Sequence, residues 1–394
     1  MKVDEHIFIE NTNEYKEIIE DKNKITSKEN NFSGMCLYQN LHRPTYKCTS
    51  ISQKNYSSYN HEQILLFGKE ILNSIYNTSN NIVYSKGIIM TINRDIKILK
   101  EKNEYINKRQ DGLFICEIEY IYKGQYYQKL FSKGVSYLGE EIQENWLKNL
   151  NIDQILRSIG NEMDFNNSME LISGIYDLYL SPNATGILIH EVFGHVFEKD
   201  NKHINKELIN ELASIKMPDN LNIEDNPFIN NYGRYISNDD SGRNVVKLNI
   251  IKNGRLSEEI LNGERIANRK RAHYYSSLQY RVSNTILENG NKKPEDILDS
   301  INSGIYIKKI DQCFCDPING KIILPVIEAY CIKNGNIENY IKPFTIMSNV
   351  VTLAKSISAI CNNYMQDIII CGKMGDKIPV GIGAPSILLS NIEL

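Results

Sequence analysis

The chain has 394 residues, enough for two or three folding units with sizeable cores. Its 45 basic and 48 acidic side chains leave a formal net charge of −3, so no bulk positive field points to nucleic acid or an anionic membrane. Hydrophobic residues at 41% describe an ordinary globular protein, and no apolar run nears the ~18–20 residues of a membrane span. The start, Met1-Lys2-Val3-Asp4-Glu5-His6, holds no hydrophobic segment, which predicts a cytoplasmic protein. Eight scattered cysteines then read as thiols or metal ligands, not as a disulfide framework.

The first sixty residues are polar and show no clear period. Ile64, Phe67, Ile71, Leu72 and Ile75 lie at helical spacing and predict one amphipathic helix over 61–77. Residues 82–92 are β-rich, and Phe114, Cys116, Ile118, Tyr120 and Tyr122 alternate before a turn at Lys123-Gly124. Helix then hairpins predicts an N-terminal α+β domain over 1–165, followed by a second domain over 166–394. There, Ser181-Pro182-Asn183 reads as a helix start before Ile187-Leu188-Ile189. Asn253-Gly254 and Asn334-Gly335 predict hairpin turns within 245–256 and 322–340. Ser348 or Asn349 caps a predicted helix with Val350, Leu353, Ile357 and Ile360 on one face, and Ile368 to Cys371 reads as a strand. The expected fold class is mixed α+β with mainly antiparallel sheets.

One segment carries chemistry: His190-Glu191-Val192-Phe193-Gly194-His195. Composition alone would produce His-acid-x-x-x-His about 0.015 times in a chain of this make-up. Neutral imidazoles suit zinc, and an adjacent carboxylate can take a proton from water activated by the metal. Five residues of an ideal helix separate the two histidines by about 140°. Both reach one ion only if a π-bulge or an irregular turn intervenes, and Gly194 is the residue that would permit it. A catalytic zinc needs a third protein ligand. Cys371 is one candidate, at the end of an apolar strand with a glycine after it. Cys313-Phe314-Cys315 is the rival, since alternate strand residues share a face. The run Arg269-Lys270-Arg271 near Tyr274-Tyr275 reads as a solvated face rather than a nucleic-acid patch.

From Gly186 to Leu394 several motifs follow in order: Asp239-Asp240-Ser241-Gly242, Tyr275 to Leu278 with Arg281-Val282-Ser283-Asn284-Thr285, Glu328-Ala329-Tyr330, and Cys371-Gly372-Lys373 through Pro385. This succession resembles the TldD/PmbA family of metallopeptidases, the TldD-type subunit in particular. The resemblance implies a Zn2+ peptidase acting on extended or unfolded peptides, leader peptides of ribosomally made natural products among them. It implies His190, His195 and Cys371 as ligands, which decides between the cysteines, and Glu191 as general base and acid. It also implies pairing with a TldE (PmbA)-like subunit as a heterodimer; a homodimer is the other assembly considered. A non-catalytic peptide-binding or stabilising subunit is the alternative, though such a chain would be expected to lack the metal set. Departures are Val196-Phe197-Glu198-Lys199-Asp200, where the family favours glycines around its acids, and Asp311 to Asp316, where it has a glycine run. Candidate substrate-binding residues are Arg281, Tyr275 and Asp240, within a stretch that could offer a sheet edge and aromatic surface to an extended peptide.

Overall fold

The structure, a computed structural model, describes residues 6–20, 24–38, 45–46, 82–100, 104–122, 125–138, 168–229, 238–273, 276–311 and 313–394. Strands β1 (His6–Glu20), β2 (Lys24–Tyr38), β3 (Thr45–Tyr46), β4 (Ile82–Lys100), β5 (Glu104–Tyr122) and β6 (Gln125–Leu138) form an antiparallel sheet in the order β3-β2-β1-β4-β5-β6. All 15 residues of β1 have a partner on β2 and another on β4. Backbone pairing on both sides holds such a strand without side-chain alternation, which is why its polar sequence gave no strand signal. Tyr122 pairs with Gln125, on either side of the expected turn. That turn, the helix over 61–77 and the boundary at 165 lie outside the described residues.

The second half begins with β7 (Ile175–Leu180) and α1 (Pro182–Ile189). It continues through α2 (Lys206–Ser214), β8 (Ile223–Asp225), β9 (Leu248–Lys252), β10 (Arg255–Leu256), α3 (Glu258–Leu261), β11 (Arg269–Lys270), β12 (Gln279–Tyr280), β13 (Asn284–Leu287) and α4 (Pro294–Asp299). There follow β14 (Ser303–Ile310), β15 (Phe314–Cys315), β16 (Lys321–Lys333), β17 (Asn336–Ile341), β18 (Phe344–Asn349), α5 (Val350–Ser356), β19 (Ile357–Ile360), β20 (Met365–Lys373), β21 (Asp376–Ala384) and β22 (Ile387–Glu393). Two sheets organise these elements. One runs β10-β9-β8-β13-β21-β20, the other β15-β16-β14-β7-β22-β19, with β17 and β18 also paired to β16. Among the described strand pairs only β13–β21 and β7–β14 are parallel, so the fold is the expected mixed α+β with mainly antiparallel sheets.

Helix α1 contacts β7 and β14 of one sheet and β13, β20 and β21 of the other. It carries Leu188, Ile189, Val192 and Phe193 into the shared core. Its start follows the sequence: Ser181 Oγ accepts from the Ala184 N–H at 3.2 Å, and Pro182 occupies the first turn, where no donor is needed. Both Asn-Gly turns are present, with φ of 51° and 70° at Asn253-Gly254 and 48° and 79° at Asn334-Gly335. Two successive left-handed residues are what a tight hairpin requires.

Two expectations need correction. Asn349 caps α5, accepting from the Val351 N–H, but the helix stops at Ser356. Ile357 and Ile360 belong to β19 and pair with Leu389 and Ile387 of β22, a pleated setting that favours β-branched side chains. The basic run is not a solvated face either, since Lys270 and Arg271 are buried. Arg269 lies 4.7 Å from the Tyr280 ring centroid and donates to its hydroxyl, while Arg271 Nη1 donates to the Ser276 carbonyl. The Tyr280 ring and hydroxyl for Arg269, and a carbonyl for one nitrogen of Arg271, stand where water otherwise would.

Candidate metal centre

The five-residue spacing of the histidines is resolved by the backbone. At His190 the α-helix widens into a π-turn over His190–Gly194, and the His195 N–H donates to the His190 carbonyl five residues back. The extra residue per turn brings both imidazoles to one side, their ring centroids 4.8 Å apart. Gly194 has φ −84°, so no left-handed backbone is involved. Its role is closeness: a Cβ there would lie 3.1 Å from Val282 Cγ2, so a side chain would require Val282, in the segment leading into β13, to give by a few tenths of an ångström.

Cys371 arrives on β20, the edge strand of its sheet, opposite Ile378. Its Sγ lies 3.3 Å from His195 Nε2, and the ligand atoms of His190, His195 and Cys371 all fall within 4.8 Å of one another. Two donors at ~2.1 and ~2.3 Å on a tetrahedral zinc would be about 3.6 Å apart, close to the observed nitrogen–sulfur separation. Each imidazole is held by its other nitrogen. His190 Nδ1 is 3.3 Å from Thr285 Oγ1, and His195 Nδ1 is 3.3 Å from Glu198 Oε1. His190 Nε2 is fully buried and has no hydrogen-bond partner. An orphaned buried nitrogen beside a second imidazole and a thiol is what a metal-binding residue looks like without its ion. The donor set therefore fits zinc.

The charges around the cluster alternate in sign. Burial opposes ionisation of Cys371, yet His195 and Arg281 hold its thiol well below the ordinary range. Arg281 donates to the Cys371 sulfur at 3.2 Å and to its carbonyl at 2.8 Å. Burial likewise disfavours a charged His195, but Cys371 and Glu198 outweigh it and raise its pKa well above the usual value. Glu198 is buried, which by itself raises its pKa, but His195 and Lys373 bring it down to about 2. Glu191 moves the other way: burial raises its pKa, and the two histidines only partly offset this.

Glu191 also acts electrostatically on Cys313 and Cys315, so the rival thiols stand on its side of the site. They share a face as expected, with Phe314 between them 61% exposed. They are not in the ligand cluster, which among the described residues consists of His190, His195 and Cys371. The expected substrate residues have a different setting. Arg281 is buried behind the Cys371 sulfur. Asp240 is buried and accepts from the Arg271 N–H. Each is engaged with a buried partner among the described residues. Tyr275 lies outside the described residues. Sequence reasoning passed over Thr285 and Lys373 as site residues and noted Glu198 only as a surviving acid. The signal for Lys373 was its place two residues after Cys371, on the same strand face.

Comparison with known proteins bears directly on this cluster. The sequence profile of the PmbA/TldA metallopeptidase C-terminal domain matches residues 173–394. The chain belongs to the PmbA/TldD metallopeptidase family. It is 31% identical over 238 residues to the metalloprotease TldD homolog of Buchnera aphidicola subsp. Acyrthosiphon pisum, covering 58% of this chain and 49% of that protein. It is 25% identical over 238 residues to the zinc metalloprotease TldD homolog of Saccharolobus solfataricus, covering 56% and 52%. The chain spans about half the length of the curated relatives it matches. Its fold is similar to that of TldE from Thermococcus kodakarensis, with a TM-score of 0.66 at 15% identity over 99% of this chain and 96% of that one. Among the described residues no helix is long and apolar enough to cross a membrane.

Proposed function

We propose that this PmbA/TldD family member is a zinc-dependent peptidase that hydrolyses extended or unfolded peptides. The observation that carries the reading is the convergence of His190, His195 and Cys371, with an unpartnered buried Nε2, beside a carboxyl group of raised pKa. Zinc, when bound, would supply a Lewis acid that activates water and polarises the scissile carbonyl. Glu191 would take the proton from the attacking water and return it to the leaving amine nitrogen. A raised pKa suits a group that must carry that proton between the two steps. His195 and Arg281 favour the anionic form of Cys371, and Thr285 lies against the other nitrogen of His190.

The same reading assigns residues 1–165 to an N-terminal α+β domain and 166–394 to the metallopeptidase domain, and the substrate class to leader-type peptides with little fold of their own. It includes a TldE-like partner subunit, a homodimer being the other assembly. Likeness to the TldE fold favours a second reading, a non-catalytic peptide-binding subunit. The complete set of His190, Glu191, His195 and Cys371 favours the first. The test is hydrolysis of a flexible peptide and of the same sequence embedded in a stable folded domain. It is run with zinc analysis, a chelator control, and native mass with and without a co-expressed partner. The flexible peptide is expected to be cut only by zinc-loaded protein, and the folded parent to survive. Cleavage of the folded parent faster than it unfolds would rule out the extended-substrate reading. A zinc-loaded protein inert toward every flexible peptide, alone or with its partner, would favour the second.

A further inference from the structure

His195 is the less buried of the two imidazoles and sits where the π-turn gives way to a short 3₁₀ turn over His195–Phe197, an irregular backbone that does not by itself fix a ring. What lies against its Nδ1 is Glu198, whose side chain is only 1% exposed and whose two oxygens are both engaged. Oε1 meets the imidazole and accepts from the Val282 N–H at 3.2 Å. Oε2 accepts from Lys373 Nζ at 2.7 Å. That ammonium also donates to Asp200 at 2.8 Å and to the Tyr280 carbonyl at 3.1 Å. Asn201 adds a hold on the backbone, its Nδ2 donating to the His195 carbonyl at 2.7 Å. Lys373 stands two residues beyond Cys371 on β20 and so projects from the same face of the strand.

We propose that Glu198 is the positioning residue of this centre: it fixes His195 with Nε2 turned toward Cys371 and, through Lys373, ties that ring to the strand that brings the third ligand. The inference rests on the zinc reading above. A carboxylate on the far nitrogen of a ligating imidazole sets ring orientation and raises ligand basicity, and losing such a partner typically weakens metal affinity 10–100-fold. The Lys373 link adds a mechanical role. β20 is the edge strand of its sheet, paired with β21 on one side, so the Lys373–Glu198 pair adds a polar tie to the 3.3 Å approach of the sulfur to His195 Nε2 and to its Arg281 contact.

The experiment measures zinc affinity by competition with a chromophoric chelator for wild type, Glu198→Ala, Glu198→Gln and Lys373→Met, together with proton NMR of the metal-free proteins. Glu198→Ala is expected to bind zinc 10–100-fold more weakly, and Lys373→Met several-fold more weakly in protein that still unfolds cooperatively. Glu198→Gln keeps an acceptor for His195 but sets an amide against the Lys373 ammonium, so it should fall between the two. In metal-free wild type, the His195 Nδ1 proton should give a downfield resonance protected from exchange, and Glu198→Ala should lose it. If Glu198→Ala does not fold, the Gln and Met variants decide the question. Wild-type affinity in folded Glu198→Gln and Lys373→Met, or no protected Nδ1 proton in wild type, overturns the proposal. Failure of wild type to bind zinc at all counts against the metal reading instead, and the resonance then decides the positioning role alone.

Discussion

Cys371 on β20 and the Cys313–Cys315 pair around β15 place the same side chain in opposite settings. Both regions border Glu191 and the histidines, and burial disfavours a thiolate in each. At Cys371 the neighbours are His195 and the Arg281 guanidinium, and the thiol pKa falls well below the ordinary range. At Cys313 and Cys315 burial acts together with the Glu191 carboxylate, and both thiols are pushed up. The sign of the adjacent charge, not the depth of burial, separates a thiol whose anion is favoured from two whose anion is opposed.

The largest effect should come from exchanging the two regions' roles by mutation. Cys371→Ala, His190→Ala and His195→Ala should each remove most bound zinc, because a three-ligand site loses one of its few anchors. Cys313→Ala and Cys315→Ala should keep it. Elemental analysis that found full zinc in Cys371→Ala and loss in a β15 mutant would invert the comparison. Next in size is the carboxyl group both regions share. Glu191→Gln should retain zinc while lowering peptide hydrolysis by about 10²–10⁴-fold, and near-normal turnover in metal-replete protein would assign the proton transfer to another group.

A smaller effect concerns stability on the Cys371 side. The folded pKa of Glu198, about 2, lies below its ordinary 4.5. Its contribution is therefore complete above pH 4.5 and lost as pH falls through 2, a change of roughly 3 kcal/mol. Urea unfolding of metal-free protein from pH 6 to pH 2.5 should show this loss in wild type and a flatter profile in Glu198→Gln. Equal slopes would remove Glu198 from the account. The smallest effect lies away from the site. Asn349→Ala deletes the α5 cap and should cost about 1 kcal/mol in unfolding free energy with zinc content unchanged. Loss of zinc there would mean that the β18–α5 corner and the centre are coupled.

Much of the site could be read in the chain because it depends on local rules. Ser181-Pro182 starts α1, the five-residue histidine spacing required a π-bulge or an irregular turn, of which the structure shows the former, and two Asn-Gly pairs placed the hairpins. Of the N-terminal strands, β4 and β5 were legible from the β-rich stretch 82–92 and the alternation from Phe114 to Tyr122, whereas β1 was not, since it is held by backbone pairing on both sides and shows no alternation. The burial of Arg281 and Asp240, candidate substrate-binding residues in the sequence, was not legible, because residue type says nothing of burial. Their partners in the structure are Cys371, 90 residues from Arg281, and Arg271, 31 residues from Asp240. The link from Lys373 to Glu198 spans 175 residues and has no local signature.

Those separations also set an order of events during biosynthesis. His195 and the Cys371 sulfur it faces lie 176 residues apart, and β13, which carries the Thr285 partner of His190, pairs in parallel with β21 rather than with a sequence neighbour. A ribosome delivers both histidines and Glu191 long before β20 and β21 exist. Contacts of such long range form late, after the loops between them have closed. The emerging chain therefore holds two imidazoles without their thiol, and the three side chains come together only when β21 pairs with β13 and brings β20 beside it, so the cluster is a property of the finished fold and not of the segment that bears the motif.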